Sequence, residues 1–334
     1  MAVAAEAQLE RMADTAPLTE AAGYHRVAFK AMGTDNEVIF AAPSRPRADE
    51  FRQAVLRWTA AFEAKFSRFL PESLVRRVNA AAGREPVATD AQADELFALC
   101  DWYHWRTGGV FDPTAGPLIE LWDYHQAPAR LPSADDVARA REKVGWGKVV
   151  RSPGRIFLPA AGMRIDLGGI GKEYAVDQLF LLAEERGLRD LAVSLGRDIR
   201  VAGKPPEGGA WRIGLEHPGR MDQCWEGLAV DHAALCCSGD YRRYFEFEGR
   251  RYGHILDPRS GHPVDNGCHA AWVVAPSCTE AGVLSTSVLV LGVEEGLNLI
   301  EASHHAAGCV WTEKGNYQTR RFGNYVIPGQ KATA

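Results

Sequence analysis

The sequence predicts an α+β protein of two intimately joined lobes, and three observations carry that expectation. Apolar and polar residues alternate over 24–40, on either side of Met32-Gly33-Thr34, which is the period of strands with one buried face. Phe51, Val55, Trp58, Phe62 and Phe66 recur at spacings of three and four, the period of a helix with one apolar stripe. No internal repeat or low-complexity linker divides the 334 residues, so the lobes are expected to share one core.

The elements follow in order. Residues 1–22, rich in Ala, Glu and Thr, read as a flexible segment that frays or forms a loose helix, the folded domain as 23–328, and residues 329–334 as a tail. A helix is expected over 47–69 and another over 90–106, the second ending at Gly108-Gly109, where glycine permits the positive φ of a sharp turn. The stretch from Gly109 to Leu118 is dense in Gly and Pro, the composition of backbone brought close to something. Residues 126–136 read as a connection, with Ser133 opening a short helix to about 143. Strand-like alternation over 155–167, a glycine turn at 168–172 and a helix over 173–186 capped at Gly187 form a strand, turn, helix unit. Further strands are expected at 190–195, 211–215, 227–237, 270–275, 307–311 and 319–326, with a hairpin over 241–252 turning at Glu248-Gly249. Residues 281–291 read as a buried helix and 293–302 as an amphipathic one.

Composition excludes several classes. A net charge of −5 and a pI near 6.1 argue against nucleic acid as partner, because proteins that neutralise phosphate backbones carry an overall or strongly segregated basic excess. Seven cysteines without a Cys-x-x-Cys pair suggest reduced thiols, neither a disulfide framework nor a zinc ribbon. Glu6, Glu10 and Asp14 stand where a signal peptide needs a basic start, and no stretch reaches the roughly 20 apolar residues of a membrane helix, so a cytoplasmic protein is expected.

Three segments could carry chemistry. Gly168-Gly169-Ile170-Gly171-Lys172 before a helix could present backbone amides to phosphate, or be no more than a tight turn with an exposed lysine. It is not a P-loop, since Glu173 replaces the Ser or Thr that would hold magnesium. Asp166, at the expected end of the preceding strand, would face a ligand or cap the turn. Ser238-Gly239-Asp240-Tyr241 and the run from His254 to Gly261 form a second polar concentration. His304-His305 lacks partners at ligand spacing and reads as a polar helix end.

In this order, the segments resemble the ApbE family, which moves FMN from FAD onto a Ser or Thr of a target protein. The likeness is collinear over about 300 residues and rests on eight blocks. They are Met32-Gly33-Thr34, Phe66 to Phe69 with Ser73 and Asn79, Gly109 to Thr114 with Gly116-Pro117-Leu118 and Trp122, 166–177, Leu195-Gly196-Arg197-Asp198, 238–241, 254–261, and Leu284-Ser285-Thr286. The resemblance implies mixed or antiparallel sheets of T-fold-like type with packed helices, and a cleft for FAD between the lobes. Met32, Phe69, Val110, Phe111 and Asp112 would surround the flavin and adenosine parts. Asp166 and Lys172 would lie near the diphosphate and His254 near the reaction centre, these three being the expected catalytic residues. Magnesium would be held by a backbone carbonyl at Gly169 and by Ser285 and Thr286 on a later helix, hard oxygen donors of the kind it prefers.

The chain departs from the family pattern at four positions. Where the family reads Ala-Asp-Ala-Leu-Ser/Thr-Thr, this chain reads Ala281-Gly282-Val283-Leu284-Ser285-Thr286, so the usual metal carboxylate is replaced by Gly282. Asp198 or Asp240 could substitute only if the fold brings them within reach. Glu173 stands where glycine is usual, Phe69 where tyrosine is common, and Arg197 where a second glycine is usual. The guanidinium of Arg197 could hold a diphosphate bidentately or simply block the site. The expectation is therefore an FMN transferase acting on a partner protein. A catalytically altered or inactive FAD-binding or maturation protein of the same fold and an enzyme turned to a different nucleotide or cofactor stand as alternatives.

Overall fold

Burial of apolar residues organises the chain from its first turn in the computed structural model, which describes residues 2–125 and 130–328. The start, expected to fray or form a loose helix, forms α1 (Ala2–Ala13) followed by β1 (Leu18–Ala21), and Met12, Ala16 and Leu18 pack into the main core. β1 pairs with β2 (Tyr24–Ala31), and β2 with β3 (Thr34–Ala41). Met32 and Gly33 join the last two as a two-residue hairpin loop in which both take positive φ, 53° and 70°.

Six helices and a small sheet precede the cleft-forming half. They are α2 (Arg45–Phe66), α3 (Leu74–Ala81), α4 (Ala91–Arg106), α5 (Gly116–Leu121), α6 (Ala134–Arg141) and, after the sheet, α7 (Gly171–Glu184). The sheet joins β4 (Val87–Ala88), β5 (Val150–Ser152) and β6 (Arg155–Phe157). Then come β7 (Leu191–Leu195), β8 (Asp198–Ala202), the hairpin of β9 (Trp211–His217) and β10 (Arg220–Val230), and β11 (Ala233–Gly239). Two short hairpins follow, β12 (Tyr244–Phe247) with β13 (Arg250–Gly253) and β14 (Leu256–Asp257) with β15 (His262–Pro263). The chain closes with β16 (Cys268–Ala275), α8 (Cys278–Leu291), α9 (Val293–Glu301), β17 (Ala307–Thr312) and β18 (Gly315–Gln318).

The main sheet has nine strands in the order β1-β2-β3-β7-β8-β11-β16-β17-β18, and every neighbouring pair is antiparallel. Its central strands are buried on both faces. Along β16, Ala271, Val273 and Ala275 enter the core under the helices, while Ala270, Trp272 and Val274 enter a second core under the β9–β10 hairpin. The two cores thus share the strands between them. α8 lies against β11 and β16 and is buried over most of its surface, which is why it shows no single apolar stripe.

Among the described residues one expected strand is cut short and another is absent. Of 155–167 only 155–157 is a strand, so Asp166 does not end one, and 319–326 contains the 3-10 turn Phe322–Asn324. The hairpin expected over 241–252 forms as β12 and β13, with Glu248 and Gly249 at φ 48° and 76°. The expected connection at 126–136 lies partly, and the 329–334 tail wholly, outside the described residues.

Candidate functional site

A cleft of about 600 Å³ opens where the loops before α7, the edge of β7 and β8, and the segment 238–258 meet the side of α8. Its walls are assembled by side chains spent on folding the backbone. Asn79 on α3 donates to the Ile165 carbonyl (3.0 Å) and accepts from the Ile165 amide (2.7 Å), clamping the irregular path to Asp166 as a strand neighbour would. Asp166 then accepts from the Gly168 amide (2.7 Å) and from Arg68 Nη1 (2.5 Å). In the facing loop Asp112 accepts from the Thr114 amide (2.7 Å), the Thr114 hydroxyl and the Trp146 amide (3.0 Å). Its carboxylate therefore shapes the loop, while the Phe111 ring beside it approaches the Gly169 backbone.

The floor is electrically dense. Lys172, in the first turn of α7, forms ion pairs with Asp198 and, at 3.3 Å, with Glu173. Burial opposes its charge, but the two carboxylates outweigh burial and hold the ammonium firmly protonated, its pKa raised. Burial pushes the Glu173 carboxyl up from the usual range, against the pull of Lys172. On α8, the hydroxyls of Ser285 and Thr286 each lie 2.8 Å from Ser238 Oγ, and Ser285 also donates to the Gly282 carbonyl (3.0 Å). Asp177 fixes the start of α8 by accepting from the Cys278 and Thr279 amides at 2.9 and 2.8 Å.

The rim carries the remaining charge. Arg197 adopts φ 80°, a strained conformation for any residue but glycine, and its guanidinium pairs with Glu216, as does that of Arg242. His254 Nδ1 lies 3.2 Å from the Arg243 carbonyl oxygen, which can only accept, so Nδ1 carries the proton and Nε2 is the free acceptor. Burial, with the nearby Arg243 charge, pushes its pKa down to about 4, so the ring is neutral at physiological pH.

Of the expected site residues, Val110, Phe111, Asp112 and Asp166 line this cleft. So do Gly169, Lys172, Arg197, His254 and Thr286, which places residues from both halves of the chain together. Met32 and Phe69 do not line it. Met32 sits in the β2–β3 hairpin loop against the main core, and Phe69 is 76% exposed with Arg68 over its ring. Ser285 is fully buried behind Thr286. Asp198 is engaged by Lys172 and Asp240 by His269 (3.1 Å), so neither stands free to replace a carboxylate at Gly282. Sequence reasoning missed Glu216, which has no motif, and took Glu173 as a departure from glycine and from the P-loop pattern, not as a site residue.

A sequence model of the ApbE family matches residues 32–311. The chain belongs to the ApbE family. An FAD:protein FMN transferase of Klebsiella pneumoniae (strain 342) is 28% identical over 297 residues, spanning 87% of this chain and 85% of that protein. One of Vibrio cholerae serotype O1 is 30% identical over 243 residues, 72% of each chain. The fold is similar to the structure of flavin transferase ApbE from Vibrio cholerae, with a TM-score of 0.82 at 25% identity over 92% of this chain and all of that one. The ApbE protein of Thermotoga maritima gives the same TM-score at 28% identity, covering 91% and 99% of the two chains. These likenesses account for the antiparallel sheet and helices that the resemblance implied.

The donor set suits the hard divalent cation expected of this family. Glu173 lines the cleft with one carboxylate oxygen, Oε2, buried and without a hydrogen-bond partner, an arrangement that calls for a ligand. Thr286 and the Gly169 backbone border the same space. Among the described residues no group of three His, Cys, Asp or Glu could enclose a metal, so hydroxyl, carbonyl and phosphate oxygens would have to complete its shell.

Proposed function

We propose that this chain transfers FMN from FAD to a Ser or Thr hydroxyl of a partner protein and releases AMP. The observation that carries this reading is the convergence of Asp166, Lys172, His254 and Thr286 on one cleft. In the reaction the acceptor oxygen attacks the phosphorus nearer the flavin. The bond from that phosphorus to the bridging oxygen breaks, and the bridging oxygen leaves with AMP. Negative charge grows on the phosphoryl and bridging oxygens, so fixed cations that need no reorganisation favour the transition state. Arg197 and Arg242 share the single carboxylate of Glu216, so the rim keeps one net positive charge for these oxygens, while Lys172 on the floor is held between Asp198 and Glu173. Magnesium, when bound, neutralises further charge on these oxygens.

The acceptor hydroxyl must lose its proton. His254 is neutral with Nε2 free, the state a general base requires near neutral pH, and its ring is held edge-on to Tyr124 with centroids 5.7 Å apart. Phe111 offers an aromatic face to the nucleotide beside the glycine turn.

The test combines the purified chain, FAD, magnesium and a partner carrying an acceptor Ser or Thr. Flavin fluorescence that survives denaturing electrophoresis on the partner, with one AMP released per flavin attached, is the expected result. His254→Asn should lower the rate about 100-fold. AMP release without flavin on the partner would show a hydrolase and overturn the reading.

A further inference from the structure

Position 282 lies one helical turn before Thr286, which lines the cleft, so side chains at the two positions share one face of α8. Glycine there leaves room that another side chain has taken. A Cβ built on Gly282 would lie 2.3 Å from Cγ of Glu173, 3.1 Å from its Cδ and 3.2 Å from its Oε1. The Glu173 side chain, reaching across from the first turn of α7, therefore occupies the volume in which a side chain at 282 would begin. It is only 6% exposed.

Two further observations point to what this carboxylate binds. Oε1 faces Lys172 Nζ at 3.3 Å, whereas Oε2 is buried without any partner, a costly state for a charged oxygen unless something absent from the chain satisfies it. The Lys172 ammonium lies between two acids, Asp198 and Glu173, so a single cation serves both and leaves Glu173 Oε2 without one.

We propose that Glu173 is the carboxylate ligand of a divalent cation at the cleft floor, reaching from α7 into the space that Gly282 leaves on α8. Thr286 Oγ1, held by Ser238, lies along the same face of α8, and the Gly169 carbonyl belongs to the turn that leads into α7. Glutamate at 173 and glycine at 282 are thus two parts of one arrangement. The carboxylate has changed helices, and glycine at 282 is what lets it arrive. One carboxylate with neutral oxygens is a weak cage, so the cation is expected to bind tightly only when substrate phosphates complete its shell. This inference rests on the proposed transfer reaction only for the identity of those phosphates.

The experiment measures Mn²⁺ binding to the full chain by loss of the free-ion EPR signal, with and without FAD. The wild type should bind one Mn²⁺, at least tenfold more tightly with FAD. Glu173→Gln keeps size and folding while removing the charge, and should weaken Mn²⁺ binding at least tenfold without weakening FAD binding in metal-free buffer. Gly282→Ala places a methyl against the Glu173 stem and should weaken Mn²⁺ binding likewise. The double variant Glu173→Gly with Gly282→Asp, which returns the carboxylate to α8, should recover it to within about threefold. Equal Mn²⁺ affinity in the wild type and E173Q, or no Mn²⁺ binding to the wild type, overturns the proposal and leaves Glu173 a packing residue. Flavin transfer assayed on the same samples separates the two readings. Transfer that proceeds with E173Q binding Mn²⁺ normally sinks only the ligand assignment, and FAD-dependent Mn²⁺ binding lost in E173Q without any transfer sinks only the reaction.

Discussion

Removing the carboxylate of Asp177 should destabilise the protein more than any single change at the rim of the cleft. Asp177 lies on α7, is 7% exposed, and accepts from the Cys278 amide (2.9 Å), the Thr279 amide (2.8 Å) and the Thr279 hydroxyl (2.7 Å). The same carboxylate pairs with Arg200 Nη1 at 2.7 Å, and that guanidinium stacks on Phe180. The first amides of a helix have no partner within it, and here one carboxylate serves the first two of α8, while Ser277 accepts from the third, that of Glu280, at 3.1 Å. Asp177→Ala leaves two buried amides, a hydroxyl and a guanidinium without their acceptor. Hydrogen bonds to a charged group are worth about 1.5–3 kcal/mol each. They are not additive here, and loss of one member of a buried pair costs about 3–5 kcal/mol, so roughly 4 kcal/mol is expected.

Ser277→Ala provides the internal scale, because it removes one cap at the partly exposed end of the same helix and should cost about 1 kcal/mol. Urea unfolding followed by both tryptophan fluorescence and far-ultraviolet circular dichroism measures the two. Because α8 carries Thr286, Asp177→Ala should also weaken FAD binding. If Asp177→Ala costs no more than Ser277→Ala, the claim that this carboxylate ties the two helices together is wrong.

Three further outcomes follow from the same geometry. Asn79→Ala breaks both bonds to Ile165 and should cost roughly 2 kcal/mol, with weaker FAD binding as the Asp166 segment loosens; urea unfolding and FAD titration check it. Arg197→Gly relieves a positive-φ strain of about 1–2 kcal/mol but adds unfolded-state freedom and loses a mostly exposed ion pair, so stability should stay within about 1 kcal/mol. FAD affinity should nevertheless fall about tenfold if the guanidinium serves the diphosphate, and unchanged affinity refutes that role. For His254, a folded pKa of about 4 lies below the ordinary value near 6.5, so between these values the unfolded chain binds the extra proton. Stability should therefore fall as pH drops from about 6.5 towards 4, and His254→Asn should flatten this part of the unfolding profile.

Periodic elements were legible in the sequence because their burial repeats along the chain itself. The stripe from Phe51 to Phe66 and the alternation of β2 and β3 needed no knowledge of what they pack against. The path from Leu158 to Leu167 was misread as a strand for the opposite reason. Leu158, Met163, Ile165 and Leu167 are all buried, but in place of a strand ladder Asn79, 86 residues before Ile165, serves both backbone groups of Ile165, and the Gly83 amide donates to the Leu158 carbonyl. Local alternation cannot distinguish these cases. The docking of the first helix was not legible for the same reason, since Met12 and Ala16 are buried in a core that α1 completes with α2.

The candidate site was legible to the extent that it lies in motifs. Asp166, Lys172, His254 and Thr286 stand in short polar runs beside glycine turns, and the fold brings all four to one cleft. Glu173 and Gly282 were visible only as two separate losses, an unwanted side chain in one helix and a missing carboxylate in another. Their relation is a distance, 2.3 Å between the Glu173 Cγ and the Cβ that Gly282 lacks, and no pattern along the chain expresses it. A carboxylate that moves between packed helices keeps its place in space while changing its place in sequence, so motif comparison reads as loss what the packing of α7 on α8 supplies.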